Sequence, residues 1–269
     1  MMPEIFNYGF MQRAFLAGMM VAVICPAIGV FLTLRRLSLI GDTLSHVALV
    51  GVAIGMLIDV YPVFTALVVT VLASFAIEGL RKSYPQYAEL SLAVMMSFGV
   101  GMATVLISLG GSTGQVFSFL FGSVTLVTRQ DVWSILILGI AILMMVLFFY
   151  RSLFYMAFDE TAALLAGIPV KRINLIFTVM VAVTISLAMR IVGILMVSSL
   201  MIIPVAAALQ LEGSFKKTFI FSLLFGLLSV TIGLTISFYA SLAPGGTIVL
   251  TSLAILLGIL LYKKVGGSV

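Results

Sequence analysis

The sequence predicts an all-α polytopic membrane protein with about nine transmembrane helices, eight being the alternative count, and a short helix on the cytoplasmic side. Three observations carry this expectation. Of 269 residues, 63% are hydrophobic and only 9% are charged, whereas about a quarter of the residues in a soluble domain are charged. Mean hydropathy is +1.33. Apolar stretches near the roughly 20 residues needed to cross a bilayer recur along the whole chain, and the basic residues fall in alternate connections between them.

Taken in order, the stretches are 14–34, 37–58, 60–78, 90–109, 132–150, 173–189, 191–211, 218–240 and 246–262. Arg13 precedes a full-length first stretch, whereas a cleaved signal has a shorter apolar core, so this stretch is expected to remain a span. Cys25 is the single cysteine and permits no internal disulfide. Only Arg190 separates the sixth and seventh stretches, and fusing that pair gives the count of eight.

With the N-terminus outside, alternate loops collect Arg35, Arg36, Arg81, Lys82, Arg151, Lys171, Arg172, Lys216, Lys217, Lys263 and Lys264, eleven of the fourteen basic residues. Arg13, Arg129 and Arg190 fall on the other side. The bias places the eleven in the cytoplasm and favours an odd number of spans. The net charge of +5, which in a soluble protein suggests nucleic acid, is therefore read as topology, and no nucleic-acid partner is expected.

Two connections stand out. Segment 110–130, GGSTGQVFSFLFGSVTLVTRQ, starts too polar for a crossing; it fits a turn and a short helix at the outer surface, or an ordinary ordered loop. Segment 158–170, FDETAALLAGIPV, has an acidic start, a helix-prone run, then a glycine and a proline that stop a helix. A docking element and a passive amphipathic connector both fit it. Ala163 and Gly167, four apart, are expected to share a small-residue face suited to close docking.

Chemistry has few places to sit. No G-x-x-x-x-G-K-[ST] phosphate loop occurs, so the chain is not expected to hydrolyse nucleotide. No H-E-x-x-H helix occurs, and His46 is the single histidine. What remains is Asp42 and His46 inside an otherwise apolar span. Four residues apart on a helix is about 400° of rotation and about 6 Å of rise, so both side chains share one face. An unpaired charge in hydrocarbon costs several kcal/mol, and ionisable residues in spans usually face a wet path or a partner. A purely structural Asp–His hydrogen bond is the alternative. On the same span Gly51-x-x-x-Gly55 reads as a helix-packing pattern.

At these residues the sequence resembles a family. LRRLSLIGDTLSHVALVG is similar to the signature of the ABC-3 metal-ion permeases, the membrane subunits of bacterial zinc and manganese importers. The likeness continues at LFGSVTLVTRQDV, FDETAALLAGIPV, VGILMVSSLMIIPVAAAL and APGGTIVL, covering essentially the whole chain in order. It implies a single permease domain over 1–269. The opening FMQRAFLAG and the second span look closest to zinc permeases of Gram-positive bacteria. Where many relatives have an acidic pair and Ile-Gly at the fourth span, this chain reads YAELSLAVMM, so no role is carried to Glu89.

The resemblance implies a multi-pass protein of the bacterial plasma membrane, homodimeric, driven by two copies of a separate cytoplasmic ATPase and receiving metal from an extracytoplasmic binding protein or lipoprotein. It implies no permanently bound cofactor: Zn²⁺ or Mn²⁺ is cargo, and ATP is used by the partner. By residue-to-residue match, Asp42 and His46 would be the pathway metal site. Phe158, Asp159, Glu160, Ala163, Gly167 and Pro169 would belong to the helix that couples to the ATPase. One oxygen and one imidazole nitrogen suit Zn²⁺ or Mn²⁺ and suit Cu⁺ poorly. Two ligands are too few for a tight zinc site, which favours release, and the pair from a second protomer would complete four. A gradient-driven secondary transporter would also place a carboxylate and an imidazole at mid-membrane. A purely structural subunit would need neither.

Overall fold

A computed structural model describes residues 4–83, 87–110 and 113–266, and among these every long element is an α-helix. After a 3-10 turn at Glu4–Asn7 come α1 (Gly9–Leu34), α2 (Ser38–Leu57), α3 (Pro62–Ser83), α4 (Ala88–Gly110), α5 (Thr113–Phe121) and α6 (Arg129–Phe148). Then follow α7 (Tyr150–Phe158), α8 (Glu160–Leu165), α9 (Val170–Ala188), α10 (Ile194–Leu209), α11 (Phe215–Ala240) and α12 (Pro244–Gly266). Residues 1–3, 84–86, 111–112 and 267–269, and the side chains at positions 4, 6, 82, 88, 113 and 266, lie outside the description.

Among the described residues eight helices are long and apolar enough to cross a membrane. The 16-residue α10 is shorter: at 1.5 Å per residue it is about 24 Å long, less than the roughly 30 Å hydrocarbon core. It nevertheless joins the two ends of the bundle. Arg190, just before it, pairs with Asp131 at the start of α6, while Glu212, just after it, pairs with Lys263 near the end of α12. By length and composition the spans therefore number eight, the alternative count, and α10 is a further apolar helix shorter than the expected run 191–211.

The shortfall has a local cause. The α9–α10 turn is sunk into the protein, with Met189, Ile191 and Val192 fully buried beneath the end of α5. Gly122 and Gly193 meet there backbone to backbone, each with positive φ (79° and 87°). A Cβ on Gly193 would lie 2.6 Å from the Gly122 nitrogen. Ser123 donates its backbone N–H to the Arg190 carbonyl at 3.2 Å. Irregular backbone at membrane depth is tolerated where protein covers it.

Helix α1 and helix α2 form the interior, packed by α3, α4, α9, α10 and α11. Helices α4, α6 and α12 are mostly unburied, and many of their exposed residues are large and apolar, among them Phe98, Val105, Ile137, Met144, Leu250 and Leu257, as suits lipid. Around the ends of α1 and α11, Phe31, Tyr150, Phe154, Phe177, Phe215 and Phe219 form one aromatic cluster; Phe154 meets Phe215 edge-on at 4.9 Å. This cluster fixes α7 to the bundle at the basic end, the end holding Arg35, Lys171 and Lys216.

Gly51 and Gly55 both turn to the start of α3. A Cβ on Gly51 would lie 2.9 Å from the Ala66 nitrogen, and one on Gly55 would lie 2.9 Å from the Pro62 Cα. Backbone cannot retreat as a flexible side chain can. Gly51→Leu is expected to lower stability by about 2–3 kcal/mol, read as a lower unfolding temperature in detergent. Gly258→Ala, where an added Cβ meets nothing, should leave that temperature unchanged or slightly higher.

Candidate functional site

Helix α2 brings Asp42 and His46 onto one face, one turn apart, as their spacing requires. Leu39, Asp42, His46 and Leu49 form a partly open stripe on a helix whose remaining middle positions are buried. The Ser198 hydroxyl of α10 donates to Asp42 Oδ1. Gly41 faces the same serine, its virtual Cβ 3.5 Å from the Ser198 Cβ. On another side α4 closes in, where a Cβ on Gly99 would lie 3.1 Å from the His46 carbonyl carbon. Thr43 turns inward and donates to the carbonyls of Leu39 and Leu92. The carboxylate and the imidazole are thus the ionisable groups of α2, both left partly open, with the acid aimed by a serine.

Among the described residues no group of three or more His, Cys, Asp and Glu side chains could hold a metal ion. At this face one chain offers a carboxylate, an imidazole and the Ser198 hydroxyl bonded to the acid, fewer strong donors than the four of a tight zinc site. Ser198 was not singled out by sequence, although Ser198-Ser199 interrupts an apolar run and could have been. The letters G-x-S-x-G do occur at 110–114, but that motif acts where a strand turns into a helix; no described residue is in a strand, and Ser112 lies outside the description.

At the basic end, α8 is a single short helix. Asp159 caps it, accepting from the N–H groups of Thr161 and Ala162 at 2.8 and 3.0 Å. Glu160 reaches back into the bundle: it pairs with Arg35 at 3.5 Å and accepts from Asn174 Nδ2 at 3.1 Å, while Arg35 also donates to Asn174 Oδ1. Arg35 is nearly buried, over the ring of Phe177. Burial pulls its pKa below the ordinary value, and the Glu160 carboxylate opposes that shift. The α1–α2 turn, just ahead of the helix that carries Asp42 and His46, thereby shares one polar knot with α8 and α9, which sequence spacing did not reveal.

Two expectations for this segment need correction. Ala163 is buried inside the chain, and α8 ends at Leu165, so Gly167 lies past the helix with φ +81°. They share no exposed helical face. Pro169 precedes α9 as its N-cap. The outward apolar side chains are Phe158, Leu164 and Leu165, at 67%, 58% and 84% exposure.

At the opposite end Asp131, almost wholly buried, accepts from the Thr128 N–H and hydroxyl at 2.8 and 2.7 Å, from Arg190 Nε at 3.4 Å, and from the Tyr61 hydroxyl. Arg190 also stacks over Phe119, 4.7 Å from the ring centre. Burial, then the bond to Asp131 and its charge, push the Tyr61 phenol up to about 12. Four elements are tied here.

A bundle of membrane-crossing helices, with a carboxylate and an imidazole open on an interior helix and a short exposed helix at the basic end, defines a membrane permease. The profile of the ABC 3 transport family matches residues 7–263, and the chain belongs to that family. It is a metal-ion ABC transporter permease, and ATP hydrolysis falls to a partner subunit. It is 37% identical to a probable metal transport system membrane protein of Treponema pallidum, over 97% of this chain and 98% of that one. It is 30% identical to the manganese transport system membrane protein MntC of Halalkalibacterium halodurans, over 93% and 86%. A chain of the PsaBC complex of Streptococcus pneumoniae, solved with a Fab, superposes with a TM-score of 0.83 at 28% identity, covering 99% of this chain and 100% of that one. An inward-facing putative metal-chelate type ABC transporter shares the fold, with a TM-score of 0.67 at 17% identity over 94% and 86%.

Removing one member of a buried ion pair leaves an uncompensated charge. Arg190→Met is expected to cost roughly 3 kcal/mol of stability, and Arg190→Met with Asp131→Asn less than that. Thermal unfolding of the single and double variants in detergent measures the difference.

Proposed function

We propose that the chain imports a divalent first-row cation, with Asp42 and His46 as transient ligands on its path. The observation that carries this reading is the open stripe of α2, where an acid and the single histidine remain accessible on an interior helix and Ser198 aims the acid. The oxygen–nitrogen pair accepts both Mn²⁺ and Zn²⁺. Manganese is favoured by the names of several relatives; zinc rests on the likeness of the opening and second span alone. The two donors from a second copy of the chain would complete a four-ligand site. A gradient-driven carrier has no support from the family match.

The basic end is read as cytoplasmic, by the excess of Lys and Arg there. Two copies of an ATPase would dock on α8, where Phe158, Leu164 and Leu165 form an exposed apolar cap beside acidic Asp159 and Glu160. Their closure would press on α8, and the Glu160–Arg35–Asn174 knot would carry the displacement to the α1–α2 turn and so to the metal ligands. An extracytoplasmic binding protein or lipoprotein would deliver the cation at the other end, in a bacterial plasma membrane.

Asp42→Ala and His46→Ala are each expected to lower metal uptake at least tenfold while the assembled permease and its ATPase remain intact. Uptake of Mn²⁺ and Zn²⁺ by cells carrying each variant reads this out, and normal uptake by both variants would overturn the assignment. Leu165→Asp places a charge in the apolar cap without straining the backbone, unlike a change at Gly167. It should reduce co-purification of the ATPase several-fold; full recovery with full transport would remove α8 from the interface.

A further inference from the structure

The end of the bundle opposite the basic end carries Arg13, Arg129 and Arg190. Arg190 is consumed by Asp131. Arg13 and Arg129 instead line one cavity of about 320 Å³, together with Gly9, Gln12, Val132 and Trp133. Neither guanidinium makes an ion pair or a hydrogen bond among the described residues, and the Nε of Arg13 is buried with no partner. Two like charges brought together, one with an unsatisfied buried donor, are costly unless an anion sits between them.

The position of the cavity indicates the kind of anion. Arg129 opens α6, and Arg13 lies in the second turn of α1. Helix α1 is about 39 Å long, about 9 Å more than the hydrocarbon core, so its first turns reach the headgroup layer. Trp133 is 65% exposed, and tryptophan favours this interface. Below it α6 presents Ile137, Ile140, Met144 and Leu147, all more than half exposed, as one apolar stripe facing lipid. A second cavity of about 520 Å³ shares Trp133 and continues along Ser134, Ile137 and Leu138.

We infer that this cavity binds an anionic phospholipid of the leaflet at that end, its phosphate between Arg13 and Arg129 and an acyl chain along Trp133 and Ile137. A zwitterionic headgroup would bring an ammonium toward two guanidiniums, with no carboxylate among the cavity's lining residues to receive it. An acidic protein segment would satisfy the arginines but would leave the adjoining apolar groove unfilled. The inference rests on membrane embedding and charge, and is independent of which metal is carried.

Native mass spectrometry of the purified full-length chain, after delipidation and incubation with phosphatidylglycerol, phosphatidylcholine or glycerol 3-phosphate, tests it. Phosphatidylglycerol should be retained in preference to phosphatidylcholine, and glycerol 3-phosphate, which lacks acyl chains, should not displace it at equal concentration. The Arg13→Gln/Arg129→Gln variant should retain roughly tenfold less. The Arg13→Lys/Arg129→Lys variant, which keeps both charges, should hold more than the Gln pair, separating lost charge from lost fold. Equal retention by wild type and the Gln pair, or equal binding of the two lipids, would overturn the site. Displacement of phosphatidylglycerol by glycerol 3-phosphate would reassign it to a small soluble phosphate, and displacement by an acidic peptide would reassign it to a protein partner; either overturns the lipid.

Discussion

Helix α2 is held against α3 by contacts that leave no space for a side chain, and the direction in which its polar face points follows from this. Gly51 and Gly55 press on α3, Gly41 faces Ser198 on α10, and Gly99 of α4 presses on the backbone at His46. In lipid no hydrophobic force drives helices together, so close packing of small residues supplies much of the attraction. A helix wedged between α3 and α4 cannot rotate to hide its polar face. Asp42 and His46 consequently stay on the one stripe that remains partly open.

The two ends of the bundle solve the cost of buried charge in different ways. At one end Asp131 is saturated by a capping threonine, a tyrosine and an arginine, a closed arrangement that joins α3, α5, α6 and the α9–α10 turn. At the basic end Arg35 is nearly buried, yet its partner Glu160 is half exposed and belongs to the short helix α8. A tie with one exposed member can be pulled from outside. That asymmetry is what the proposed docking of an ATPase on α8 would use.

Much of the site was legible in the residues. An acid and a lone histidine within an apolar span are costly, so their presence alone marked them, and helical periodicity put them on one face. The small-residue spacing of Gly51 and Gly55 likewise pointed to close packing. The face shared by Ala163 and Gly167 was misread, because periodicity presumes that the helix continues; α8 stops at Leu165 and the chain turns through a left-handed glycine. The pairings of Ser198 with Asp42 and of Asn174 with Arg35 were invisible for another reason: a polar side chain 156 or 139 residues from its partner leaves no local pattern.

Composition and spacing by themselves determined that the protein is an all-helical membrane protein, where its apolar helices approximately run, and that Asp42 and His46 share one face of a helix, because each follows from transfer energies and the pitch of a helix. Only the tertiary structure decided that α10 joins both ends despite its length, that Ser198 aims Asp42, that α8 is tied through Glu160 to Arg35, and that Arg13 and Arg129 share a cavity. Those facts depend on which helices become neighbours. Neighbourhood is set by packing shape summed over the whole bundle, a quantity that no single stretch of sequence carries.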